Sequence, residues 1–339
     1  MFSETKFITI NISDNTDQYK ETQSMDISKP CVLILGGENT NSPIVANSYF
    51  RSIKETLNNN QITSNLNLYS VYYDFGSRNS NSDRFMLFYK FRTPKQLAEI
   101  NASYLLSDLY SYPLYETSPK YINDIYQIAM HPRLYAKNGD ILSPEQIEKN
   151  LRNMVIFAHC HGAYVARMLE QKMLQDPNIQ KLLSQKPKLL QNLLVINHAP
   201  FAPLENYQFT AISFCSASDT QACLYTKLDS QIKSAPNECA PAFFGAEFGN
   251  VMIADRLKHN IEDEHSHIGL RGSHFTDAKL TRSGKILFST ERNSLLKGVN
   301  AMIKDKAMPT IPQMLSTQYA SYEDLKRKGM QLYRHFRTR

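Results

Sequence analysis

The stretch MVIFAHCHGAYVARMLEQKM, Met154 to Met173, decides how the chain is read. Four apolar residues, Met154 to Phe157, run into Ala158, His159, Cys160, His161 and Gly162, and a helical pattern then begins. A short continuous apolar run is how a strand buried on both faces looks. A cysteine between two histidines at this seam has three candidate meanings: a metal site, a nucleophile, or an ordinary turn. The small residues Ala158 and Gly162 leave room for a sharp turn here. A residue on a sharp strand-to-helix turn takes strained dihedrals, so its neighbours must not collide with the turn or the helix.

Outward from this stretch, strands and helices alternate. PCVLILGG, Pro30 to Gly37, is a buried strand that ends in two glycines. SPIVANSYFRSIKETLNN follows as a helix, with Ser42 as N-cap and Pro43 in the first turn. LNLYSVYYDF, Leu66 to Phe75, is rich in aromatic and β-branched residues and reads as a strand. SPEQIEKNLRN, Ser143 to Asn153, is a capped helix leading into the apolar stretch. Beyond it, DPNIQKLLSQKPKLLQN is helical in two pieces around Pro187, and LLVINHAP and FTAISFCSASD are strands. TKFITINI, residues 5–12, alternates like a short strand, and the polar segment after it reads as a loop. This alternation between residues 30 and 220 predicts an α/β protein: a mostly parallel, doubly wound sheet with helices on both faces.

The rest is read as one domain with additions. The Tyr-rich interval 76–142 reads as an insertion forming a lid or cap, with a strand at RFMLFYKF and helices from Pro94 to Tyr110 and Tyr121 to Met130. Residues 220–272 read as a second insertion, with a helix from about Phe248 to Ile261. Arg292 to Lys306 is a further helix, and 307–339 a basic helical tail.

Bulk properties narrow the function. The chain has 339 residues, 42% hydrophobic and 21% charged, which is globular composition. No stretch has the ~18 uninterrupted apolar residues of a membrane span. The first residues lack a basic region followed by an apolar core, so the expected location is cytoplasmic, with export by a route without an N-terminal signal left open. Cysteines at 31, 160, 215, 223 and 239, with no CxxC pair, argue against a disulfide scaffold and a structural zinc site. The net charge is +6, and Lys326 to Arg339 alone holds six Lys or Arg residues and no acid. The body is therefore near neutral, and no nucleic-acid partner is expected. In the tail, Leu325, Leu332, Tyr333 and Phe336 can form one face of a helix with the basic residues opposite. That is a candidate for peripheral membrane contact, although a solvated terminal helix is the plainer reading.

At Ala158-His159-Cys160-His161-Gly162 the sequence resembles the α/β-hydrolase superfamily, whose nucleophile elbow has a small-x-nucleophile-x-small pattern. Cysteine stands where serine is usual, and alanine replaces the first glycine. The resemblance implies an α/β-hydrolase-like fold with a catalytic triad in the order nucleophile, acid, histidine. Asp219, after the strand AISFCSASD, and His274, in RGSHF, are the residues in that order. His274 would take the thiol proton and Asp219 would fix its tautomer. The helix N-terminus would favour the Cys160 thiolate. The backbone N–H of His161 would supply one oxyanion-hole donor, and the loop at Gly36, Gly37 and Glu38 the second. Glu38, His159, Asn197 and His198 are candidate pocket residues.

Plainer readings stand beside these. Cys160 can be a structural thiol. His159, Cys160 and His161 are adjacent on one turn and rarely converge on one metal, so neither metal nor cofactor is expected. His265 and His267 compete with His274, and Asp74 with Asp219. The reading is a hydrolase or acyl-transfer enzyme, an esterase or thioesterase acting on an acylated small molecule, with an amide less favoured. The alternative is a non-catalytic binding protein on the same scaffold.

Overall fold

The structure is a computed structural model that describes residues 5–13, 18–37, 40, 42–62, 65–73, 120–198, 200, 207–216, 251–254 and 294–315. Its centre is a sheet built from the apolar runs: β1 Lys6–Asn11, β2 Lys20–Thr22, β3 Cys31–Leu35, β4 Asn67–Tyr72, β5 Met154–His159, β6 Leu194–His198, β7 Thr210–Ser216 and β8 Val251–Ala254. Their order is β2-β1-β4-β3-β5-β6-β7-β8. β1 runs antiparallel to both its neighbours, and every pairing from β4 to β8 is parallel. All residues of β3, β5 and β6 are buried, as continuous hydrophobic strands must be when both faces are covered.

Helices cover both faces. α1, Pro43–Asn59, starts where its sequence says: Ser42 accepts a hydrogen bond from the Val45 amide and Pro43 occupies the first turn. With α7 (residues 294–303) and α8 (Ile311–Leu315) it packs on Val32, Ile34, Val155 and Phe157. The opposite face holds α2 (Lys120–Ile125), a π-turn at Tyr126–Met130, α3 (His131–Leu134), α4 (Pro144–Arg152), α5 (His161–Gln175) and α6 (Pro177–Gln185). These pack on the alternate residues Leu33, Leu35, Met154 and Ile156. The two-residue period of a strand thus feeds two separate cores, and each fully buried Leu, Ile or Phe contributes about 1.5–3 kcal/mol. The chain is of the α/β class.

Two elements differ from the sequence reading. Val251–Ala254 is a strand, not the start of a helix, because it pairs in parallel with β7 from Ser213 to Ser216. A short apolar run cannot be told from a helix segment by periodicity, and here the sheet edge decided. Lys20–Thr22, read as loop, is an edge strand on β1. The strand and helix expected within 76–119 lie outside the described residues, as do most of 220–272 and the tail beyond 315. The segment 120–134, by contrast, is part of the second helical layer, with Ile122, Ile125 and Leu134 fully buried.

One feature of the topology positions a site. From β3 the chain crosses through α1 to β4 on one side and later enters β5 on the other. In open α/β sheets, ligands bind at the carboxyl ends of the strands where the order switches in this way. The register brings those ends level: Leu35 pairs with Ala158, Ala158 with Asn197, and His159 with His198.

Candidate functional site

Cys160 occupies the switch point, between the last residue of β5 and the first of α5. Its backbone sits at φ 53°, ψ −118°. The left-handed helical well of an L-residue lies near φ +57°, ψ +47°, so Cys160 is outside every ordinary well. A residue in such a conformation costs on the order of 1–3 kcal/mol and persists only where its surroundings impose it. They do so here. The Cys160 amide donates to the His198 carbonyl at 2.9 Å, and its carbonyl accepts from the Ala163 amide at 3.1 Å. The thiol is free and 9% exposed.

Gly162 explains how the helix meets the sheet. A Cβ there would lie 2.0 Å from the Leu35 carbonyl oxygen. The start of α5 therefore docks against the end of β3 only with glycine in its first turn. Ala158 is fully buried on the strand side. His161 occupies the first helical position, where amides have no carbonyl within the helix to bond.

The two flanking histidines lead to two different tyrosines. His159 Nδ1 lies 3.0 Å from the Tyr49 hydroxyl on α1. His161 Nε2 lies 3.1 Å from the Tyr121 hydroxyl on α2. Tyr73, just past β4, stacks on Tyr121 with ring centroids 4.7 Å apart, and Tyr164 packs beside His161. Burial pushes the His161 imidazole down to about 3, so it is neutral at physiological pH. Among the described residues, no group of three His, Cys, Asp or Glu side chains could hold a metal ion.

The glycine loop after β3 reaches the same place. A Cβ on Gly37 would lie 3.3 Å from both the Cys160 Cβ and His159 Nδ1. One on Gly36 would lie 2.2 Å from Thr40 Oγ1. The Gly37 N–H donates to the Tyr49 hydroxyl at 3.2 Å, and the Gly36 carbonyl accepts from the Tyr73 hydroxyl at 3.3 Å.

Of the other expected pocket residues, Asn197 and His198 end β6 with side chains fully buried. The Asn197 amide donates to Ser213 Oγ at 3.1 Å, and the His198 ring stacks on Phe157. Glu170 on α5 fixes the approach to β7: its carboxylate accepts from the Gln208 and Phe209 amides, each at 2.9 Å, and pairs with Arg167. Glu38, Asp74, Asp219, His265, His267 and His274 lie outside the described residues.

The structure thus brings Gly36, Gly37, His159, Cys160 and His161 together. It adds Tyr49, Tyr73 and Tyr121, which the sequence reading treated as ordinary residues of helices and a strand. Each comes from a separate element, so no local spacing links them. No protein-family model matches the chain, and no match to it was found among curated proteins.

Proposed function

We propose that this chain is an α/β-hydrolase-like enzyme that uses Cys160 as a nucleophile on esters or thioesters. The observation that carries the reading is the backbone of Cys160: a non-glycine residue held at φ 53°, ψ −118° between β5 and α5, at the switch point of the sheet. Strain of this kind is found where a side chain must be presented, and a structural thiol has no use for it. Gly162 and Gly37 support it: Gly162 lets the start of α5 dock against the end of β3, and Gly37 brings the loop after β3 close to the cysteine.

In this reading the Cys160 sulfur attacks the acyl carbon and forms a thioester as the bond to the leaving group breaks. His274 accepts the thiol proton and delivers it to the departing alkoxide or thiolate, with Asp219 orienting its ring. Water then attacks the thioester, and the sulfur leaves as a thiol again, releasing the acid. β7 and β8 run parallel to β5, so their carboxyl ends lie on the edge that holds Cys160. In sequence, Asp219 follows β7 and His274 follows β8. The negative charge on the tetrahedral intermediate would be met by the His161 amide and an amide of the Gly36–Gly37 loop. His161, neutral and tied to Tyr121, is not the base in this scheme.

The experiment is hydrolysis of p-nitrophenyl butyrate and an acyl thioester by the wild type, Cys160→Ala and Cys160→Ser. The expected result is a loss of about a thousandfold or more in kcat for Cys160→Ala, with Cys160→Ser strongly impaired. Equal activity in all three proteins would refute the reading.

A further inference from the structure

The Gly36 carbonyl and the Gly37 N–H belong to one peptide unit, and a tyrosine hydroxyl engages each end of it. Tyr73 donates to the carbonyl and Tyr49 accepts from the N–H. Both tyrosines are 1% exposed, so neither bond competes with bulk water. They come from opposite directions, Tyr49 from α1 and Tyr73 from beyond β4. The clamped peptide lies against the cysteine, since a Cβ on Gly37 would come within 3.3 Å of the Cys160 Cβ.

The same two tyrosines connect to the histidines beside the cysteine. Tyr49 bonds His159, and Tyr73 stacks on Tyr121, which bonds His161. A rigid link therefore runs from each neighbour of Cys160 to each end of the Gly36–Gly37 peptide. We propose that Tyr49 and Tyr73 are positioning residues that fix the plane of this peptide relative to Cys160. His159 and His161 anchor the clamp through their bonds to Tyr49 and Tyr121. With the Gly37 N–H directed at Tyr49, donation to an oxyanion falls to an amide next to it in the loop. Holding this peptide leaves only the φ and ψ of the flanking residues to set the direction of the neighbouring amides. This inference rests on the function proposed above for its catalytic consequence, but not for the clamp itself.

The test uses the full-length chain and the variants Tyr49→Phe, Tyr73→Phe and the double variant. Three quantities are read: hydrogen exchange of the Gly37 amide, kcat and KM on p-nitrophenyl butyrate, and the rate of Cys160 alkylation. The clamp predicts faster Gly37 exchange in Tyr49→Phe, with exchange in β5 and β6 unchanged as the control for folding. It predicts a fall of about ten- to a hundredfold in kcat for each single variant, with KM and alkylation held. The double variant should lose no more than the worse single, because both hydroxyls act on one peptide. Unchanged Gly37 exchange, an unchanged or raised kcat, or losses that multiply in the double variant would each overturn it. If the wild type hydrolyses no ester, the proposed function fails, and Gly37 exchange alone decides the clamp: faster exchange upholds it, unchanged exchange removes it.

Discussion

Two cysteines stand at opposite ends of the same pair of strands. Cys31 opens β3, directly beside Met154, the first residue of β5, and Cys160 follows the last residue of β5. Cys31 is sealed. It is fully buried in regular strand, its sulfur accepts from Arg133 Nη2 at 3.2 Å, and its thiol donates to the Asn153 carbonyl at 3.6 Å. Arg133 is itself fully buried and held by the Ala129 carbonyl, while Asn150 secures its backbone. Burial pushes the Cys31 thiol up, against the weaker pull of the Arg133 guanidinium. Cys160 has different surroundings: strained backbone, a helix start, close glycines and 9% exposure where Cys31 has none. One residue type thus serves cohesion at the amino ends of the strands and presentation at the carboxyl ends. The difference comes from topology, because crossovers seal the amino ends while the switch in strand order leaves the carboxyl ends free for a site.

The largest predicted effect breaks the presenting end at its tightest contact. Gly162→Ala places a methyl 2.0 Å from the Leu35 carbonyl oxygen, with backbone on both sides and no flexible side chain to yield. The expected cost is about 4 kcal/mol, or loss of folding, at the extreme of the range for single substitutions. Urea unfolding followed by circular dichroism measures it, and a cost below ~1 kcal/mol would mean that the helix need not meet β3 so closely.

Next in size, one substitution made at both ends should have opposite signs. Cys31→Gly removes a packed side chain from a buried strand and should destabilise by about 2 kcal/mol. Cys160→Gly puts glycine where φ is 53° and should stabilise by about 1 kcal/mol while abolishing activity. Melting temperatures of the two variants, compared with the wild type, test the contrast. Destabilisation by both would show that Cys160 is packed rather than strained.

The smallest effect concerns the histidine after Cys160. Its ordinary value is 6.5 and the fold pushes it to about 3. Between those values the unfolded chain binds a proton that the fold refuses, so stability falls as pH drops below 6.5, by up to about 1.4 kcal/mol per unit. His161→Gln should flatten that slope between pH 6.5 and 5.5, read as urea midpoints at each pH. An unchanged slope would show that His161 is hydrated and titrates normally.

How much of this was legible in the sequence differs between the two ends. The apolar runs at β3, β5 and β6 show directly, because strands buried on both faces are rich in consecutive hydrophobic residues. So do the Ser42–Pro43 and Ser143–Pro144 helix starts and the small residues around Cys160. β8 did not, since Val251, Met252 and Ile253 suit a helix or a strand equally until β7 is beside them. The partners of Cys31 and Cys160 did not either. Arg133 sits about a hundred residues from Cys31 and carries no local signal for burial. Tyr49, Tyr73 and Tyr121 meet His159 and His161 only because α1, β4 and α2 are brought to one edge of the sheet. Periodicity reports which face a residue takes, not which distant residue it will meet.

The central claim is that the strained cysteine, and not the sealed one, carries an acyl group. Brief mixing with p-nitrophenyl butyrate, acid quenching and intact-mass analysis with peptide mapping measures this directly. The account predicts one butyryl group per chain, located on the peptide containing Cys160, with Cys31 unmodified and the adduct absent in Cys160→Ala. Ester turnover without an adduct on Cys160, or an adduct that persists in Cys160→Ala, would contradict it.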